Sequence, residues 1–320
     1  MVSKEVADRV MAVAQTLGYL PNPIASGLRT RRSRTIGVLI PDLTNPVFPP
    51  IVRGIARTLA PAGYVVVLAD SDSDMLNVKA IVDSLLVRQV DGLILATARR
   101  EDPIVDECME NAVPLVLVNR TVDNCSVASV TTDDEAGIRL VVQHLVGLGH
   151  RRIAFVGGPQ TTSTGYARYR AFLTATREAQ LPADRRLVMN SKAFSEAAGR
   201  MALERIIETA GTDFTAVVTA SDLLALGCLD ALKEAGLRSP QDVSVTGFNH
   251  MPFADRFSPS LTTVHIPHDE LGVRAAQLLL ERIDNPEIGP HSIRMRPRFV
   301  IGASTREIKP GLPHGRVHSA

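Results

Sequence analysis

At 320 residues the chain is long enough for two globular lobes, because a single hydrophobic core stops growing near roughly 250 to 300 residues. Its three cysteines, Cys108, Cys125 and Cys228, lack C-x-x-C spacing, so neither a zinc site nor a disulfide framework is indicated, and no apolar run reaches the roughly 18 residues of a membrane helix. The formal net charge of +1 hides a gradient: residues 1–34 hold six basic against two acidic side chains, +4 locally, which leaves −3 for the remainder. These totals exclude a generally cationic, disulfide-stapled or membrane-spanning protein, and predict a nearly neutral body with a basic arm in the reducing cytoplasm.

Ser3 can cap a first helix whose apolar residues Val6, Val10, Val13 and Leu17 recur at three- and four-residue steps and which Gly18 ends. Asn22-Pro23 then signals another start, Asn capping free amides and Pro supplying a preset φ with no N–H to satisfy. The helix that follows, residues 24–31, has only two turns and contains Gly27, so it is marginal without a partner. Arg29, Arg31, Arg32 and Arg34 crowd its exit, a cluster suited either to a polyanion's phosphates or to a solvated linker. From Thr35 the near-continuous aliphatic runs IGVLI, YVVVLA, DGLILA and PLVLV alternate with amphipathic stretches, the pattern of parallel strands covered on both faces. After a polar passage the alternation restarts with VVQHLVGLGH, RRIAFVGG, DRRLVMN, TAVVTAS and DVSVTGF. The predicted fold is therefore α/β, two doubly wound parallel-sheet lobes.

The order GYLPNPIASGL, basic linker, TIGVLIPDLTNPVF resembles the hinge region of LacI/GalR-type bacterial transcription regulators, in which a hinge helix enters the DNA minor groove. The resemblance implies a periplasmic-binding-protein-like body and a cytoplasmic homodimer. It makes Leu28 an apolar wedge at a central base step, with Asn22, Ala25, Arg29, Arg31 and Arg32 as the other DNA contacts. Ser26 stands where many members have Arg, which removes one contact. By the same resemblance residues 1–17 match the last helix of the DNA-binding headpiece. The two earlier helices of the helix-turn-helix, which read the major groove, are absent from the sequence, so we expect an incomplete N-terminus and weakened operator binding. The implied division is 1–34 for partial headpiece and hinge, and 35–306 for the two-lobed effector and dimerisation domain. Lobe 1 takes about 35–131 plus 267–290 and lobe 2 about 132–266 plus 291–306. Residues 307–320 form a disordered tail.

In open parallel sheets ligands bind beyond the carboxyl ends of the strands. Those ends carry Asp42 and Asn45, Asp70 and Ser71, Thr97, and Asn119 with Arg120 in the first lobe. The second offers Thr162, Thr164 and Arg168, then Ser221 and Asp222, then Asn249 and His250. Asp, Asn and Ser at such places also make turns and caps, so the set carries more weight than its members. The family resemblance selects Asn119, Thr164, Arg168, Phe194, Ser221 and Asn249 as effector contacts; Asn45 and Asp222 complete the candidate site. Phe194 would stack on the ligand. Members usually have an acid where Asn249 stands, so the cleft is expected to be less acidic than that of a typical sugar regulator and to tolerate a carboxylate or phosphate beside Arg168.

No G-x-G-x-x-G after a strand, Walker loop, G-x-S-x-G or H-E-x-x-H is present, so no catalytic residue, metal site or cofactor is assigned and the chain is not expected to be an enzyme. Adjacent Asp133 and Asp134 fit a helix N-terminus better than an acid and base pair. The expected partners are operator DNA, a sugar or sugar derivative and a second copy. A periplasmic sugar-binding protein shares the fold and stands as the alternative.

Overall fold

The computed structural model describes residues 32–123 and 126–308, with Val6, Arg9, Val13 and Thr16 of the arm. These four positions are helical, and Val6 and Val13 are exposed. Asn22, Ala25, Leu28, Arg29 and Arg31 lie outside the described residues, as do the whole stretch 24–31 expected to form the hinge helix and residues 309–320.

The aliphatic runs form strands. In the first lobe these are β1 (Thr35–Ile40), β2 (Val65–Asp70), β3 (Gly92–Leu95) and β4 (Leu115–Val118), linked by helices α1 (Phe48–Leu59), α2 (Met75–Val87) and α3 (Pro103–Glu110). Two strands complete this sheet: β5 (Ser129–Thr132) and, from the far end of the chain, β11 (Ser292–Met295). The order is β11-β5-β4-β3-β1-β2, with every pair parallel. Side chains alternate between faces as strand geometry requires. Ile36, Val38 and Ile40 belong to one apolar cluster with Ile51 and Ile55 of α1, whereas Leu39, Leu93 and Leu95 meet Val78 and Val82 of α2 and Ile104 of α3.

The second lobe contains α4 (Asp134–Gly147), β6 (Ile153–Gly157), α5 (Ser163–Glu178), β7 (Val188–Asn190), α6 (Glu196–Ala210), β8 (Ala216–Thr219), α7 (Asp222–Glu234) and β9 (Ser244–Thr246). Its sheet is parallel in the order β7-β6-β8-β9. Phe155 stacks on Phe172 of α5 with ring centroids 4.6 Å apart, which fixes that helix on the sheet.

After β9 come β10 (Thr263–His265), α8 (His268–Asp284), β11 and β12 (Arg298–Val300), the last pairing antiparallel with β10. Three crossings join the lobes: β5 to α4, β10 to α8, and β11 to β12. The expected division gave all of 291–306 to lobe 2; instead β11 extends the first sheet beside β5, and only the later part returns. The polar run Ser129–Thr132 hid this, because β5 offers Val130 to the core but shows no aliphatic run. Residues 307 and 308, expected to fall in the disordered tail, belong to the described body. Arg306 donates from Nε to the Pro240 carbonyl at 2.9 Å, and the Ile308 amide donates to the Leu148 carbonyl at 2.8 Å.

Helix α8 lies across α1, and two glycines set their separation. A Cβ on Gly272 would stand 2.0 Å from the Ile51 carbonyl oxygen, and one on Gly54 would stand 2.2 Å from that of Asp269. Asp222, at the start of α7, ties the segment after β9 to β10: one carboxylate oxygen accepts from the Met251 amide at 2.7 Å and the other from Thr263 Oγ1 at 2.6 Å. Burial outweighs these bonds and pushes this carboxyl up to about 7.

Two outcomes follow. Gly272→Ala, followed by urea denaturation, is expected to lose about 2 kcal/mol or more, since backbone rather than a flexible side chain occupies the space. Asp222 holds its proton more tightly folded than unfolded, so its contribution to stability is complete below its ordinary range and is lost as pH rises through about 7. The stability difference between wild type and Asp222→Asn should fall with rising pH over that window, by at most about 1.4 kcal/mol per pH unit. A pH-independent difference in denaturant melts would contradict this.

Candidate functional site

The carboxyl ends of the two sheets meet between the lobes, and the local chemistry of each end decides which side chain reaches the gap. Asn119, after β4, has φ 65°, and Asn249, after β9, has φ 108°. Few side chains accept positive φ, and Asn is among those that do, so both amides have a backbone reason for their place as well as a chemical one. On the second lobe Thr162 caps α5 by accepting from the Gly165 amide at 3.1 Å. Thr164 and Arg168 then share one face of that helix, four residues apart. Phe194, just before the Ser195 cap of α6, lays its ring against Gly158, where a Cβ would come within 2.2 Å of it. The second glycine of AFVGGP therefore makes room for the aromatic.

Two adjoining cavities result. An inner one of about 20 Å³ is lined by Asn119, Thr164, Arg168 and Asn249, and an outer one of about 150 Å³ by Ser71, Thr97, Arg99, Thr162 and Lys192 among others. Asn45, Phe48, Arg120 and Phe194 line both. The lobes close on this space through loop contacts. Arg100 N donates to the Thr161 carbonyl at 2.9 Å, Thr121 N donates to Ser163 Oγ at 3.0 Å, and the Arg100 guanidinium lies 3.6 Å from the Tyr166 ring centre.

Arg168 is almost wholly buried. Its Nε and Nη2 both lie 2.8 Å from Asp134 Oδ1, its Nη1 donates to the Ala220 carbonyl at 2.7 Å, and its guanidinium sits 3.9 Å from the Phe248 ring centre. Burial pushes the Asp134 carboxyl up, with Arg168 pulling against it. The adjacent acids thus divide the work: Asp133 caps α4, accepting from the Ala136 amide at 3.0 Å, and Asp134 pairs with Arg168.

The structure brings six of the eight expected residues, Asn45, Asn119, Thr164, Arg168, Phe194 and Asn249, to the cavities. Ser221 and Asp222 line neither. Ser221 caps α7, accepting from the Leu224 amide at 3.3 Å, and Asp222 has both oxygens occupied by the tie to Met251 and Thr263. The expectation of an anion beside Arg168 also shifts, because Asp134 already compensates that charge. Like Arg99 and Lys192, Arg120 pairs with no carboxylate among the described residues. Its Nε is buried with no hydrogen-bond partner among the described residues. Burial, with Arg168 and Arg99 nearby, pulls its guanidinium down to about 10, so it stays charged at neutral pH. Arg120 stood in the strand-end set beside Asn119. Arg99 and Lys192 escaped because each lies further along its loop, and Phe48 because it reads as the first core residue of α1.

At the second crossing His268 is buried with Nε2 unpartnered, and burial holds it down to about 3, hence neutral. His250 Nδ1 and His265 Nδ1 lie 3.3 Å apart. Among the described residues no group of three His, Cys, Asp or Glu could hold a metal ion, and no helix is long and apolar enough to cross a membrane.

Comparison with known proteins agrees with this architecture. A family model described as "Periplasmic binding protein-like domain" matches residues 142–305. The HTH-type transcriptional repressor CytR of Escherichia coli K12 is 31% identical over 96% of this chain and 89% of its own length. Among solved structures, the lac repressor dimer bound to operator and an anti-inducer is 27% identical with a TM-score of 0.83, covering 96% of this chain and 92% of that one. A LacI family regulator from Enterococcus faecium with bound ribose is 33% identical with a TM-score of 0.74, covering 86% of this chain and all of that one. Two parallel sheets joined by three crossings, a polar cleft at their carboxyl ends and this likeness along nearly the whole sequence establish that the chain belongs to the LacI/GalR family of bacterial transcription regulators.

Proposed function

We propose that this protein is an effector-responsive, cytoplasmic, homodimeric repressor. A small polar metabolite held between the lobes sets the spacing of two hinge helices on operator DNA. The observation that carries this reading is the inter-lobe cleft itself, where Asn45, Asn119, Thr164, Arg168, Phe194 and Asn249 converge from both sheets. Amides and a hydroxyl beside an aromatic ring suit a hydroxyl-rich or heterocyclic ring. A ligand that prefers one lobe arrangement shifts the population of that arrangement, which is all the coupling requires. In this reading Leu28 is the groove wedge, and Asn22, Ala25, Arg29, Arg31 and Arg32 are backbone and groove contacts. Arg32, which lies at the start of the described body, meets Asp284 at 3.2 Å, an exposed pair that DNA phosphates can compete for.

The second copy has a place to bind. Strand β2 is the edge of the first sheet, and Val65 and Val67, on the face that α2 covers, are 66% and 40% exposed. Leu76 and Val87 on α2 extend the exposed apolar surface. A bare aliphatic edge of this kind is normally blunted or covered, and we assign its cover to the partner copy.

A thermal-shift screen of sugars, sugar derivatives and nucleosides tests the cleft. A binding compound should raise the melting temperature of wild type, and Phe194→Ala or Asn119→Ala should weaken its affinity by about tenfold or more. Binding unchanged in both variants would move the effector elsewhere. Chromatin immunoprecipitation of the protein tagged at its chromosomal locus, so that any in-frame codons ahead of Met1 are also expressed, is expected to recover discrete palindromic sites, with Leu28→Ala abolishing enrichment; uniform recovery would remove the repressor reading. In sedimentation experiments Val67→Asp should convert a dimer into a monomer.

A further inference from the structure

The outer cavity differs from the inner one in charge. Arg99, Arg120 and Lys192 converge on it, and Asp42 is the one carboxylate among its lining residues. One oxygen of that carboxylate is occupied, Oδ1 accepting from the Thr44 amide at 2.8 Å and the Thr44 hydroxyl at 2.6 Å. Among the described residues none of the three cations is in an ion pair; Arg99 reaches only the Ser73 carbonyl, at 3.4 Å. This is not how the chain treats its other inward cations. Arg168 is matched by Asp134, Arg100 by Asp123 and Arg152 by Asp184. A second, independent sign is the Thr97 hydroxyl, which lines the same cavity, is 5% exposed as a residue and, like Arg120 Nε, has no partner among the described residues. Unpartnered polar groups in a buried place cost stability unless something arrives to satisfy them.

We propose that this outer cavity is an anion subsite, and that the effector is a hydroxyl-rich or heterocyclic ring bearing a phosphate or carboxylate group. The ring lies against Phe194 where the two cavities adjoin and directs a hydroxyl-sized group into the inner one, whose 20 Å³ admits no more than that, toward the Asn119 and Asn249 amides. The anionic substituent lies in the outer cavity, accepting from Arg120, Arg99 and Thr97, with Lys192 at the mouth. Phe194 and Arg120 wall both spaces, so one ligand can span them. Charge-assisted bonds from guanidinium to phosphate or carboxylate are roughly twice as strong as neutral ones, so a neutral sugar would leave the strongest donors of the cleft unmatched. The inference rests on the reading of the cleft as the effector site.

The test uses the full chain and matched ligand sets: ribose with ribose 5-phosphate; glucose with glucose 6-phosphate and glucuronate; uridine with uridine 5′-phosphate. Inorganic phosphate is measured against chloride at equal ionic strength. Calorimetry and thermal shift should show at least one anionic member binding about tenfold or more tighter than its neutral parent. The phosphate and carboxylate arms identify which anion is preferred. Arg120→Gln should erase the preference and Arg99→Gln reduce it. Arg120→Gln should melt at the same or a higher temperature than wild type without ligand, because it removes an uncompensated cation, and this shows that lost binding is not lost folding. Neutral parents binding as tightly as their derivatives, or a preference that survives Arg120→Gln, would overturn the anion subsite. If neutral binding also disappears in Phe194→Ala, the cleft remains the effector site and only the subsite falls. If neither phosphate nor any compound stabilises the wild type, both readings fall together.

Discussion

The buried pair between Arg168 and Asp134 is the constraint on which the cleft depends. Asp134 begins α4 directly after the first crossing, and Arg168 stands on the second turn of α5, so their contact fixes a lobe-joining segment against a cleft wall. Ala220, at the end of β8, receives a third guanidinium bond and brings the sheet edge into the same arrangement. Removing a charge from water is costly, and such a pair is retained only when geometry and further hydrogen bonds compensate. Here the compensation is complete enough for Arg168 to be buried. Its consequence is that this arginine enters the cleft as a positioned donor whose charge is already balanced.

That balance explains why strand-end residues fall into two groups. Thr162, Ser195 and Ser221 each satisfy the free amides of the helix they begin, and Asp222 holds two backbone segments together. Their polarity is consumed by the fold. Thr164 sits two residues past the Thr162 cap, whereas Asn119 and Asn249 follow strands with positive φ, and all three line the cleft. The N-terminus of α5 thus supplies both classes two residues apart, Thr162 as cap and Thr164 in the cleft.

The crossings place titratable and charged residues next to the cleft. His268 and Asp134 follow two of the crossings, and both are buried close to Arg168.

Much of this was readable from the residues alone. Aliphatic runs such as PLVLV read as doubly covered parallel strands because half-exposed strands usually alternate, and PLVLV forms one. YVVVLA, with the same pattern, instead forms the exposed edge strand β2, which no local pattern distinguishes. The restart after VVQHLVGLGH gave the second lobe for the same reason, and the polar residues that follow the runs marked the cleft. The failures share a cause, which is that pairing partners are distant in sequence. Ser129–Thr132 is a strand because β4 and β11 flank it, and Ser292–Met295 belongs to the first sheet because β5 accepts it there, neither of which periodicity can reveal. Likewise, whether an arginine at a strand end is free depends on what folds against it. Asp134 reaches Arg168 across 34 positions, whereas no carboxylate among the described residues pairs with Arg120, and only the tertiary arrangement of the two lobes decides between them.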